Sequence, residues 1–192
     1  PFSNGIAVVS VRTQEGDIKY GTIDKTGTWQ IEPKFDLLFE FVEGLAAAQI
    51  DNPDHPAKIA GFVDHSGEFV VTLDKVQRMQ SSHHDGMALV WRTEPPEYIY
   101  VDRSGETVLT PDYQQVEPFY EGRAAFLVED SWGYMDLSGK QIIPPEYFGP
   151  LPFDNGIVAL IKTPEVMPEP IVSWVIEYDE NGNEIVSEGT YD

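Results

Sequence analysis

Short apolar runs separated by turn formers organise this chain from end to end. Gly5–Val11, Gly44–Ile50, Gly86–Trp91 and Arg123–Val128 are rich in Val, Ile, Leu and Ala and end in turn-forming residues. Their brevity and their flanks predict strands rather than helices. A second set follows at Tyr20–Asp24, Gly61–Asp64, Tyr98–Asp102, Trp132–Asp136 and Trp174–Asp179. Each of these runs into an Asp-x-x-Gly turn, at Asp24–Gly27, Asp64–Gly67, Asp102–Gly105, Asp136–Gly139 and Asp179–Gly182. Asp starts such a hairpin because its carboxylate accepts nearby backbone N–H groups, and Gly ends it because the last position commonly has φ > 0. A third strand then follows, as in Glu68–Thr72 or Glu106–Leu109. No segment carries an apolar stripe at helical spacing over a useful length.

The three runs form one phrase that occurs five times. It opens with an aromatic, two spacers and Gly, at Phe2–Gly5, Phe41–Gly44, His83–Gly86, Phe119–Gly122 and Phe153–Gly156, and the matching Asp follows 14 to 23 residues after the Gly. Units repeating at this period bury a core only against their neighbours. The expected fold is therefore all-β: five tandem antiparallel β-meander repeats in a stacked array, forming one domain over residues 1–192. The approximate repeats are 1–36, 37–78, 79–115, 116–149 and 150–192, with a short fourth strand around Leu37-Leu38-Phe39. A propeller-like ring and an open superhelix both satisfy the pattern. Pro33, Pro111 and Pro144 are expected to stop the third strand, since Pro cannot donate to a ladder. The aromatics that follow, Phe35, Tyr113 and Tyr147, are expected to fill the seam between neighbouring repeats together with the next opening Phe.

Trp132-Gly133-Tyr134-Met135-Asp136-Leu-Ser-Gly139-Lys140, continued by Ile142-Ile143-Pro144 and Tyr147, resembles the WG (KWG) repeat of bacterial β-repeat proteins. Tyr20-Gly21-Thr22-Ile23-Asp24 is the next best copy. The pattern departs from the family at Ala60, which stands in the Trp position of the second copy, and at Val175-Ile176, where the fifth copy has no Trp-Gly. The resemblance implies a bacterial β-repeat interaction module with no agreed catalytic residues.

Charge narrows the partners. The 192 residues hold 33 acidic against 12 basic side chains, a formal net charge of −21, with 41% hydrophobic residues to supply a core. Nucleic-acid affinity comes largely from Lys and Arg displacing counterions, so nucleic acid and anionic membranes are poor partners. No stretch approaches the length of a membrane span. The absence of Cys removes disulfides, thiolate metal sites and Cys nucleophiles. Because the sequence begins at Pro1, it reads as a piece of a longer or processed soluble chain.

Candidate chemistry is sparse. Asp179–Glu184 has the oxygen-rich alternation of a calcium loop, but an EF-hand requires Gly at its sixth position and Glu at its twelfth, where Glu184 and Thr190 stand. His83-His84-Asp85 is the one His cluster, yet His83 falls in the opening slot held elsewhere by Phe, and His55 and His65 stand apart. Neither a metal nor a cofactor is expected. No Gly-x-Ser-x-Gly elbow, phosphate-binding Gly loop or His-Glu-x-x-His is present, and carboxylate pairs among 33 acids discriminate nothing.

The repeats differ most in the loop between their first and second strands: 12–17, 51–56, 93–97, 129–131 and 163–170. In an array such loops emerge on one edge and often mark the binding face. They carry ten carboxylates and one Arg, and their prolines lower the entropy cost of ordering. Asp51, Asp54, Glu94, Glu97, Glu129, Asp130, Glu165 and Glu169 are the candidate partner-binding residues, for a basic protein or peptide and a non-enzymatic role. Solvated tips that serve only solubility remain the competing account. The alternative function is carbohydrate or cell-envelope binding through Trp29, Trp91, Trp132 and Trp174, or through Tyr98 and Tyr100, which share one face of their strand.

Overall fold

The computed structural model describes residues 5–51, 58–162, 174–178 and 184–188. The chain folds as two compact units, Pro1–Thr110 and Pro111–Asp192. In the first, β1 (Ile6–Arg12), β2 (Ile18–Asp24) and β3 (Trp29–Phe35) form one sheet. A second sheet consists of β4 (Leu37–Leu38), β5 (Ala46–Ile50), β6 (Ile59–Val63) and β7 (Phe69–Leu73), and a third of β8 (Val76–Met79), β9 (Ala88–Thr93), β10 (Pro96–Val101) and β11 (Thr107–Leu109). The second unit holds a sheet of β12 (Gln115–Val116), β13 (Arg123–Val128), β14 (Ser131–Asp136) and β15 (Gln141–Tyr147), and another of β16 (Ala159–Leu160), β17 (Trp174–Tyr178) and β18 (Glu184–Glu188). Consecutive strands pair antiparallel throughout, so each sheet is a meander and the fold is the expected all-β repeat array. The short strand Leu37–Leu38 heads the sheet that follows it, pairing with Gln49 and Ala48 of β5.

Turn chemistry fixes where each strand ends. Asp24, Asp64, Asp102 and Asp136 each turn one carboxylate oxygen to the backbone N–H two residues on, at 2.8–2.9 Å, and to a second N–H four residues on. The Gly that closes each turn has φ between 80° and 86°. At the other end of the meander, Glu43-Gly44, Asp85-Gly86, Glu121-Gly122 and Asn155-Gly156 have φ > 0 at both residues, as a two-residue type I′ hairpin requires. The opening Gly of each of the last four repeats thus belongs to a tight hairpin.

The prolines behave differently from expectation. Pro33 lies inside β3 and Pro144 inside β15, so neither stops its strand, whereas β11 does end before Pro111. Both β3 and β15 are the last strand of their sheet, where a missing N–H on the outer side costs no ladder bond. Each also bulges at the Pro: Tyr20 pairs with Phe35 but Thr22 with Ile31, and Trp132 pairs with Tyr147 but Tyr134 with Ile143. The Gly of the Trp-Gly pair makes room for the bulge. A Cβ on Gly133 would lie 2.7 Å from Ile143 O and 2.9 Å from Pro145 N, and one on Gly21 would press on Ile31 O and Pro33 N.

Packing occurs at the seams between sheets. In the first unit, Phe35, Phe41, Ala46, Ala48 and Val63 join the first sheet to the second, while Ala47, Ala60, Phe62, Met79, Val90 and Val101 join the second to the third. The second sheet is therefore covered on both faces, and successive alanines of β5 point into different cores. In the second unit, Tyr134, Ile143, Tyr147, Phe153 and Leu160 form the corresponding seam.

Gly133→Ala is expected to lower stability by about 2 kcal/mol by forcing the bulge away. Gly149→Ala, where an added methyl meets nothing within 4 Å, is expected to stay within about 0.5 kcal/mol of the parent. Urea denaturation of both variants checks this; equal midpoints would show that the close approach is not needed.

Candidate interaction surfaces

The acidic candidates divide according to whether a cation faces them. Asp51 is held at the end of β5: its N–H donates to Asp36 Oδ2 at 2.8 Å, and its carboxylate faces Lys58 Nζ at 3.3 Å and accepts from Gln49 Nε2 at 3.2 Å. Asp36 in turn accepts from Lys19 Nζ at 2.7 Å. Glu94 sits at a two-residue tip, 4.0 Å from Lys75. Glu97 is a strand residue, half-buried in β10 and 4.0 Å from Arg92 on the paired strand. The loop read as 93–97 thus shrinks to Glu94-Pro95, because Thr93 pairs with Pro96 and continues the ladder outward.

Glu129 and Asp130 differ from these. They form the whole connection between Val128 and Ser131, which pair directly, and both are exposed. Neither makes an ion pair with a described residue. Glu129 takes φ 53° to close the tip. Asp54, Glu165 and Glu169 lie outside the described residues, as does the calcium-like Asp179–Gly182 turn.

The Asp-x-x-Gly carboxylates are committed to the fold. Hydrogen bonds from the Thr26, Ser66, Ser104 and Ser138 hydroxyls, with backbone N–H groups beside them, hold Asp24, Asp64, Asp102 and Asp136 below the ordinary Asp pKa. Oxygens ringed by donors are the reverse of a cation cage. Among the described residues no group of three or more His, Asp or Glu side chains is placed to hold a metal.

His83 is a buried seam residue, 2% exposed. It packs on Phe62 with ring centroids 4.2 Å apart, as Phe153 packs on Tyr134 at 5.3 Å two seams later in the repeat order. The tyrosine ladder does not exist as a surface, because Tyr100 is fully buried and Tyr98 lies against Trp91 with centroids 4.5 Å apart. The sheet's far face is covered, which strand alternation alone does not reveal.

Two recesses escaped the sequence pattern. A polar one of about 440 Å3 in the first unit is walled by Asp36, Gln49, Asp51, Lys58, Gln77 and Trp91. Trp91 Nε1 donates to Gln77 Oε1 at 2.8 Å, and Gln49, buried where Trp91 and Leu127 stand in later repeats, is the signal that marks it. An apolar recess of about 200 Å3 in the second unit lies beside Tyr120, Tyr134 and Phe153. Burial raises the Tyr134 pKa, so its hydroxyl keeps the proton with which it donates to Leu151 O at 2.8 Å while accepting from Leu151 N at 2.9 Å.

These features define an antiparallel β-repeat protein whose variable parts are hairpin tips and inter-sheet recesses. The sequence model described as WG containing repeat matches residues 20–52, 100–130 and 132–163, half of the chain, and the chain belongs to the WG repeat family. Ala60, at the Trp position of the second copy, lies outside the matched segments. No curated protein matches the chain. Among solved structures, it is similar to a crystal structure of the eukaryotic initiation factor, with a TM-score of 0.54 and 11% identity over 96% of this chain and 52% of that one. That likeness is one of fold, and the chain spans about half the length of that protein.

Burial holds the folded-state pKa of His83 below the ordinary 6.5. The unfolded chain therefore binds a proton that the folded chain resists, and stability present above pH 6.5 is lost as pH falls below it. The lowered carboxylate values, including that of Glu40 beside His84, place their own losses below about pH 4.5. Between pH 7 and 5 the urea midpoint of the parent is expected to fall more steeply than that of His83→Phe. Parallel curves would show that His83 is solvated.

Proposed function

We propose that this chain is a non-enzymatic binding module that docks a basic protein or peptide through uncompensated carboxylates, chiefly the Glu129-Asp130 tip. The observation that carries this is the contrast between that exposed tip, with no ion pair to a described residue, and Asp51, Glu94 and Glu97, each facing a cation. The charge balance points the same way: residues 111–192 contain sixteen carboxylates and only Arg123, Lys140 and Lys162 as cations. Lys162 already pairs with Glu146 at 2.7 Å, and Arg123 lies over the Phe153 ring. A field of one sign raises the encounter rate of a cationic partner, and salt removes the effect over a Debye length of about 8 Å at physiological ionic strength.

Glu129→Asn with Asp130→Asn keeps residues that tolerate φ > 0 and removes both charges. Association of an oligolysine peptide, followed by stopped-flow at low salt, is expected to slow by about three- to tenfold, with the urea midpoint unchanged. Glu94→Ser with Glu97→Ser is expected to slow it less, because it also releases Lys75 and Arg92. Equal rates for parent and tip variant at low salt would sink the reading.

A second reading, carbohydrate or cell-envelope binding, is supported by the polar recess, where an indole lies among amides, carboxylates and a Lys as sugar stacking requires. It predicts that soluble cell-wall glycans alter Trp emission and that Trp91→Ala abolishes the change. An unaltered spectrum at saturating glycan would exclude it.

A further inference from the structure

Ala47, Leu89 and Ala125 occupy one position in three successive repeats, each three residues after the opening Gly. In all three the carbonyl accepts an N–H from the preceding linker at 2.9 Å, from Phe39, Gln80 and Glu117 respectively. The N–H and C=O of a residue in an antiparallel strand point to the same side, so the three amides face their linkers as well. Serine hydroxyls meet two of them. Ser82 Oγ accepts from Ala47 N at 3.1 Å and donates to Glu40 O at 2.7 Å, and Ser81 Oγ accepts from Leu89 N at 3.0 Å.

Around Ala125 of the fourth repeat both serine places hold proline. Pro118 follows Glu117 as Ser81 follows Gln80, and Pro152 precedes Phe153 as Ser82 precedes His83. Neither has a hydroxyl to offer Ala125, and there the apolar recess opens, with Ala125, Pro118 and Pro152 in its walls. We propose that this recess receives one apolar side chain of a basic peptide, whose backbone carbonyl accepts from Ala125 N–H in place of the serine hydroxyl of the earlier repeats. The proposal rests on the acidic-module reading and adds an anchor to it.

The walls fit that occupant. Tyr120 and Leu151 are 43% and 48% exposed at the rim, giving apolar surface that a side chain would cover. The Tyr134 hydroxyl is consumed by Leu151, so the ring faces the space and the Leu151 backbone is pinned. Arg123 packs on Phe153 at 4.6 Å and donates to Glu121 O at 2.9 Å, which makes it a wall. Glu117 supplies a carboxylate beside the recess. The carboxylate excess of this unit repels anionic headgroups and favours Lys or Arg on either side of the anchor.

The test is titration of the full ¹⁵N-labelled chain, followed by NMR at low salt, with acetyl-Lys-Lys-Leu-Lys-Lys-amide and its glycine analogue. The leucine peptide is expected to shift the Ala125 amide saturably and to bind about tenfold more tightly than the glycine peptide. Pro152→Ser, which installs the arrangement of the earlier seam, is expected to bring that preference close to unity. Equal binding of the two peptides with the Ala125 amide unmoved and the Glu129 and Asp130 amides shifted would overturn the anchor and leave the electrostatic reading standing. A full leucine preference in Pro152→Ser would overturn the hydrogen-bonded slot, and no binding of either peptide would sink both proposals.

Discussion

Burial of one sheet against the next is the constraint on which this structure depends. A three- or four-stranded meander has too little apolar surface on a single face to offset the entropy of ordering it, so each must be covered by a neighbour. The aromatics at the seams supply that cover: Phe35, Phe62 and Tyr147 are 0–1% exposed, and truncating a buried Phe costs about 3–5 kcal/mol in other proteins. Close approach then selects glycine. A Cβ on Gly67 would sit 2.8 Å from Ile31 Cγ2 of the preceding sheet, and one on Gly105 2.7 Å from Val71 Cγ1. At Gly67 and Gly105 the closing Gly is thus favoured twice, by its positive φ and by the sheet it leans on, whereas at Gly27 only the positive φ asks for it.

That constraint stops at the seams. Among the described residues the hairpin tips Glu94-Pro95 and Glu129-Asp130 are exposed and lie outside the cores, and the sequence between first and second strands varies in length and charge from repeat to repeat. The opening slot is tighter but still negotiable. His83 keeps the shape of a ring against Phe62 and gives up the pH-independence that Phe has. The position before that slot is freer again, being Ser82 in one repeat and Pro152 in another.

What could be read from the chain follows the range of the interactions. Strands and turns were legible because their signals are local: Asp64 and Gly67 carry their own hairpin wherever they stand. Pro33 and Pro144 misled because their tolerance depends on Gly21 and Gly133 across the ladder, and a proline beside a bulge looks in sequence like a proline that ends a strand. Tyr100 misled because the alternation that puts it on the same face as Tyr98 says nothing of what covers that face. The acidic tips were visible as composition, yet Lys75 is 19 residues from Glu94 in sequence, and only the fold brings the two together. A count of carboxylates therefore overstates the free charge of the first unit and describes the Glu129-Asp130 tip more faithfully.

Under the proposed function, the same reasoning describes how a repeat with no fixed chemistry would bind. A stacked array presents equivalent backbone groups at every seam, and each must be satisfied by the chain or by something else. Ser81 and Ser82 close two such places from within, at the cost of one side chain each. Replacing the hydroxyl by proline in the fourth repeat leaves the scaffold intact, because the neighbouring aromatics Tyr134 and Phe153 still pack edge to face. It exchanges an internal hydrogen bond for a donor beside an apolar recess, in the unit whose carboxylates are least compensated. Charge alone would attract any cation, and the recess alone any apolar group. In the proposed role, their coincidence in one unit would let a partner be chosen by both.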